Sequence, residues 1–285
     1  MTGPGRALRA DLALTGVVLV WGTTFVIVQR ALDDVSTLLF LALRFTLAAL
    51  LLAAVFRGIK WNKAALRAGA WCGAALFAGF VLQTAGLRYT TPSKSAFITG
   101  LSVVIVPVLA AVFERRPPRR IEVAGVALAT LGMALLTLDF RSLAMGYGDL
   151  LTLACAVTYA VYMILVAHFV PQLGFRPLAV MQIATAAALS LATFWWVEPV
   201  VLRWTPTLIG AAIITGLLAT AVAFTVMAWA QQHTSVVHTA LIFALEPVFA
   251  AAFSYVTLGE SLSAQGMIGA VMILGGVLLV ELKSS

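Results

Sequence analysis

The feature that most constrains this chain is a recurrence of apolar runs with few charges, each about 18 residues or longer, from near the N-terminus to near the C-terminus. A helix of that length crosses the roughly 30 Å hydrocarbon core of a bilayer. Cutting the sequence at charges, prolines and glycines predicts ten helices, at 12–29, 38–56, 69–87, 95–113, 121–138, 150–170, 178–197, 207–230, 236–257 and 262–280. The longest polar connectors, 57–68 and 139–149, are too short for a separate soluble domain, so any function must reside within the bundle. Composition agrees: 62% of the 285 residues are hydrophobic and 10% are charged, against roughly 25% charged in a soluble domain. The expected class is therefore an all-α integral membrane protein.

The net charge of +7 reads as topology rather than as affinity for nucleic acid, because Lys and Arg concentrate on cytoplasmic loops. Twelve of them fall on the side of the N-terminus: Arg6, Arg9, Arg57, Lys60, Lys63, Arg67, Arg115, Arg116, Arg119, Arg120, Arg176 and Lys283. Five fall opposite: Arg30, Arg88, Lys94, Arg141 and Arg203. Both termini are thus expected in the cytoplasm, with the chain multi-pass in a bacterial-type inner membrane. Arg6 and Arg9 precede an apolar run too long for a signal peptide, which predicts an uncleaved first span. Cys72 and Cys155 lie inside apolar stretches without a CxxC or a suitably spaced His, so neither a disulfide framework nor a metal site is implied.

The two halves of the chain match weakly. At an offset of 138, Asp11-Leu12-Ala13-Leu14 meets Asp149-Leu150-Leu151-Thr152, and Trp21 meets Tyr159. At an offset of 144, Thr90 meets Thr234, Ala96 meets Ala240, Gly125 meets Gly269 and Gly132 meets Gly276. Five is an odd number of crossings, so a second copy enters from the opposite side and the predicted architecture is two inverted five-helix repeats, 1–143 and 144–285. The four glycines permit close helix approach, expected between the fifth and tenth helices of one chain, and a monomer is expected.

Several strings, taken in order, resemble the drug/metabolite transporter superfamily, in its ten-span branch of two EamA-type domains. They are Val20-Trp21-Gly22-Thr23-Thr24-Phe25, Leu43-Arg44-Phe45 and Arg88-Tyr89-Thr90-Thr91, then Gly148-Asp149-Leu150-Leu151, Glu246-Pro247-Val248-Phe249-Ala250 and Leu258-Gly259-Glu260. The resemblance implies a central cavity and export of amino acids or other small metabolites, and among characterised types it is most similar to the aromatic amino-acid exporters called YddG. One departure stands out: Val106-Pro107-Val108 occurs where the second copy has Glu246-Pro247-Val248.

An ionisable group inside a span costs roughly 2.5–3.5 kcal/mol on insertion scales. Glu246 lies near the middle of the ninth helix, where Pro247 predicts a kink; it is a candidate substrate or proton partner, or else a buried packing group. Arg44 is shallow enough in the second helix to snorkel to the outer interface, with an ion pair or a substrate carboxylate as alternatives. His238, eight residues before Glu246, is a candidate for proton coupling or for packing at the cytoplasmic mouth. Trp21, Thr24, Gln83, Thr99, Tyr159, Tyr162 and Thr220, with Thr84, Ser102, Thr158 and Thr225, supply uncharged polar groups at mid-depth. Each alone is compatible with packing; together they predict a pocket of aromatic faces with a few hydrogen-bonding groups. The partners implied are a small-molecule substrate and the lipid bilayer, with no cofactor. No Walker A string occurs. The GxGD string Gly146-Tyr147-Gly148-Asp149 lacks a second aspartate inside a span, so an intramembrane protease is disfavoured, and a non-transporting membrane scaffold remains the other alternative.

Overall fold

The computed structural model describes residues 4–59, 62–113, 117–137, 145–258 and 263–284. Thirteen α-helices and one π-helical segment order the described chain. They are α1 (Pro4–Ala31), α2 (Thr37–Val55), α3 (Lys63–Leu87), α4 (Pro92–Gly100), α5 (Ser102–Phe113), α6 (Arg120–Thr137), α7 (Tyr147–Leu173) and α8 (Phe175–Thr193). Then come α9 (Pro206–Ile213), the π-helix Ile214–Val222, α10 (Ala223–Ala230), α11 (Val236–Phe243), α12 (Glu246–Leu258) and α13 (Ala264–Ser284). Pairs of these are halves of one crossing: α4 with α5, α9 through α10, and α11 with α12. Nine described helical stretches are long and apolar enough to cross a membrane, and Ala264–Val280 adds a shorter apolar tenth.

Helix starts follow from capping chemistry. The Asn62 side chain accepts from the Ala65 N–H at 2.7 Å, and Thr91, Thr205 and Ser235 accept from Lys94, Leu208 and His238 N–H groups, satisfying donors that a helix N-terminus leaves orphaned. Pro92 and Pro206 follow two of these caps, where a missing N–H costs nothing. The helix at Lys63 begins six residues before the predicted 69, because Lys63 and Arg67 extend it beyond the apolar stretch.

Two crossings break. The fourth is interrupted at Leu101, between α4 and α5, and the ninth between Phe243 and Glu246. Pro247 brings no N–H to the second break, which accounts for the predicted kink. Leu101 and Leu245 are 144 residues apart, as are the caps Thr91 and Ser235. Likewise, α8 has the length of α2 and starts 138 residues after it.

Around the centre, α3 packs on α7 and α8, α2 on α8, and α1 on α10, α11 and α12. A close approach joins α6 to α13. There a Cβ on Gly132 would lie 2.6 Å from the Gly269 carbonyl oxygen, and one on Gly269 would lie 2.5 Å from that of Gly132. Gly125 and Gly276 are related in the same reciprocal way, at 2.8 and 2.6 Å. The four glycines therefore join the fifth and tenth crossings within one chain.

Candidate functional site

A cavity of about 80 Å³ lies at the centre of the bundle, walled by α1, α2, α3, α4, α5, α7, α10, α11 and α12. Its walls are mainly rings. Trp21 lies 5.2 Å from Phe224 and 5.0 Å from Phe243, centroid to centroid. Phe80 lies 5.6 Å from Tyr159 and 5.8 Å from Phe224, and Tyr162 lies 5.7 Å from Phe224. Tilted and edge-on contacts at such spacings are the preferred aromatic geometries. They hold the walls without using polar groups.

The polar groups fall into two sets. One set is bonded within the protein: Tyr159 Oη donates to Gln83 Oε1 at 3.2 Å, and Gln83 Nε2 donates to Thr99 Oγ1 at 3.2 Å, linking α7, α3 and α4. Tyr162 Oη donates to Gln182 Oε1 on α8 at 3.1 Å. Trp21 Nε1 donates to the Ala219 carbonyl at 2.9 Å, and Thr24 turns its hydroxyl back to the Trp21 carbonyl. The Ala219 carbonyl is available because of the π-helix, in which the Ala223 N–H bonds the Leu218 and Thr220 carbonyls and passes over Ala219.

Arg44 reaches the same carbonyl. The expectation that it snorkels to the outer interface is overturned: the residue is 4% exposed, its Nε donates to Thr220 Oγ1 at 2.6 Å, and its Nη2 reaches Ala219 O at 3.4 Å. Its Cζ sits 4.3 Å over the Phe80 ring, a cation–π contact inside the bundle. These partners replace water for the guanidinium and make the inward rotamer tenable. Nη1 has no bond among the described residues, and Arg44 lines the cavity.

Glu246 is the second charged wall residue, 8% exposed and lining the cavity. Among the described residues its carboxylate has neither an ion-pair nor a hydrogen-bond partner. Ser102, at the start of α5 just past the other helix break, lines the cavity as well.

Of the residues singled out from sequence, Trp21, Thr24, Gln83, Thr99, Tyr159, Tyr162 and Glu246 are brought together here, with Thr84 and Ser102. Thr220 stands behind Arg44 and is fully buried, outside the lining. Thr158 and Thr225 bond carbonyls of their own helices. His238 lies apart at the start of α11, with Nε2 3.1 Å from Asp11 Oδ1. Sequence reasoning missed Phe80, Phe224 and Phe243. A signal was present, since Phe80 and Phe224 stand 144 apart.

That signal extends to most of the lining. Trp21 and Tyr159, Thr24 and Tyr162, and Phe25 and Met163 each lie 138 apart. Phe80 and Phe224, Gln83 and Met227, Thr99 and Phe243, and Ser102 and Glu246 each lie 144 apart. Positions related by these offsets thus line one cavity. At Ser102 and Glu246 the correspondence keeps the position but not the charge.

Comparison with known proteins bears on the whole chain. The model of the EamA-like transporter family matches residues 8–138 and again 146–282. An uncharacterized transporter of Archaeoglobus fulgidus is 34% identical over 288 residues, covering 98% of this chain and 87% of that protein. The Bacillus subtilis uncharacterized transporter YyaM is 27% identical, covering 96% of this chain and 93% of its own length. A solved crystal structure superposes with a TM-score of 0.80 at 22% identity, covering 96% of this chain and 97% of that one; at that identity the likeness speaks for the fold.

Proposed function

The chain belongs to the EamA-like transporter family, and from that premise we propose that it exports small metabolites such as amino acids by alternating access, through two inverted five-helix halves, 1–143 and 144–285. Membership supports membrane transport of a small molecule and implies no enzymatic role. The separate match of the family model to each half, and the offsets that pair the cavity positions, support the division into halves.

One observation carries the reading of the substrate: a ring-lined cavity whose walls bear an unpartnered carboxylate, Glu246, and a guanidinium with Nη1 unbonded, Arg44. Such walls suit a solute with an apolar body and both charges, and the rings favour an aromatic amino acid. The cavity volume, about 80 Å³, is well below the roughly 300–1,000 Å³ of a ligand pocket, so the walls must part to admit a solute. Rocking one half against the other about the central site does this. With the basic side inward, the N-terminal end faces the cytoplasm.

The test is uptake of a labelled amino-acid panel, led by the aromatic members, into liposomes containing the purified protein, with and without a pH gradient. Gradient-independent uptake lost in Trp21→Ala or Tyr159→Ala identifies a facilitator using this cavity. Proton-stimulated uptake lost in Glu246→Gln identifies a coupled carrier. No movement of any panel member under either condition sinks the amino-acid reading.

A further inference from the structure

The mechanism proposed above uses neither of the two acid–base pairs at the rims of the bundle. Asp149, at the start of α7, is 2% exposed. Its Oδ2 meets Lys94 Nζ at 2.5 Å and accepts the Gly146 N–H at 2.8 Å, while Oδ1 accepts from Thr90 Oγ1 at 2.5 Å. Asp11, in α1, faces His238 at the start of α11, with 3.1 Å between Oδ1 and Nε2. The aspartates are 138 apart and their basic partners, Lys94 and His238, 144 apart, the offsets that also relate the cavity walls. The two pairs are therefore one contact occurring twice.

Their placement gives that contact a job. Five crossings separate the start of α1 from the start of α7, so the pairs lie at opposite ends of the bundle. Each joins the halves: Asp149 of the second half holds Lys94 and Thr90 of the first, and Asp11 of the first half holds His238 of the second. A rocking motion that opens the cavity to one end must separate the pair at that end and can leave the other intact.

We infer that Asp11–His238 and Asp149–Lys94 are paired latches, one at each end, and that whichever is broken sets the side to which the cavity opens. The inference rests on the alternating-access reading. The latches are unequal. Asp149 holds an ammonium, a hydroxyl and a backbone N–H, whereas among the described residues Asp11 receives no hydroxyl or backbone N–H at its carboxylate. Charge-assisted hydrogen bonds are the strong ones, so the Asp149 end holds more firmly. The resting protein opens preferentially at the N-terminal end.

The test uses the full-length chain in liposomes, with Cys72→Ala and Cys155→Ala removing the native thiols and Ser102→Cys placing one in the cavity wall. A membrane-impermeant, positively charged thiol reagent is applied to one face at a time. The parent should react faster from the N-terminal face. Asp149→Asn should raise the rate from the opposite face about tenfold or more, and Asp11→Asn should raise it from the N-terminal face. Swapping the partners, Asp149→Lys with Lys94→Asp, should return the rates toward those of the parent, which separates a latch from a general loosening. Equal changes at both faces, or changes at the wrong face, in variants that remain monodisperse would overturn the latches. If each latch variant opens its own face without closing the other, so that the cavity reacts from both faces at once, it is alternating access that fails.

Discussion

Arg44 shows what a single buried cation can hold together. Its guanidinium spans Thr220, the Ala219 carbonyl and the face of Phe80, so it ties α2 to the π-helix and braces the ring that shapes the cavity. Lysine offers a point charge in place of a planar fork and cannot stack on Phe80 while donating sideways to Thr220. Arg44→Lys should therefore cut transport of the best substrate about tenfold or more, in line with the roughly 1.5–3 kcal/mol of a hydrogen bond to a charged group. Wild-type rates with a normal size-exclusion profile would show that the fork is dispensable. Sequence alone assigned Arg44 to the interface because depth in a span was all it offered. The partners that draw the guanidinium inward are the Thr220 hydroxyl and the Ala219 carbonyl, some 175 residues away on the π-helix, and no residue type marks that stretch as π-helical. Glu246 was legible because a carboxylate inside an apolar run is costly wherever it points.

At the scale of the helices, spacing of small residues was the readable signal. Gly125, Gly132, Gly269 and Gly276 recur at matching positions, and each meets the partner backbone where a side chain would stand. Gly269→Ala would place a Cβ 2.5 Å from the Gly132 carbonyl oxygen and 2.7 Å from the Leu136 nitrogen, backbone atoms that move only if α6 shifts. Its thermal midpoint in detergent should fall, by the equivalent of about 1–3 kcal/mol. Gly16 is the control, with nothing within 4 Å of an added Cβ. Gly16→Ala should be neutral or gain up to about 1 kcal/mol from helix propensity, and equal losses in both variants would refute close packing as the cause. The breaks were only half readable. Pro247 announces one, whereas the fourth crossing breaks at Leu101, just after Gly100 and six residues before Pro107, where a lone glycine inside an apolar run is a weak signal.

Across the whole molecule, the arrangement that matters is the pairing of positions through the cavity. Trp21 is the counterpart of Tyr159 and Phe80 that of Phe224, yet Ser102 is the counterpart of Glu246. Sequence comparison finds Val106-Pro107-Val108 where the second copy has Glu246-Pro247-Val248, although the 144 offset sets Pro247 against Val103; the helix breaks lie at that same offset, which sets Glu246 against Ser102. The lining thus repeats in position and differs in charge. If the solute is recognised on the axis relating the halves, the carboxylate should serve from either side. Glu246→Ser should lower uptake about ten- to a hundredfold, the scale of one lost charge-assisted bond. Adding Ser102→Glu to that variant should restore a substantial part of it, because the new carboxylate enters at the equivalent break with the same wall of rings opposite. Uptake that stays at the level of the single variant, in a double variant that still folds and inserts, would mean that Glu246 acts through its own helix and not through the shared cavity.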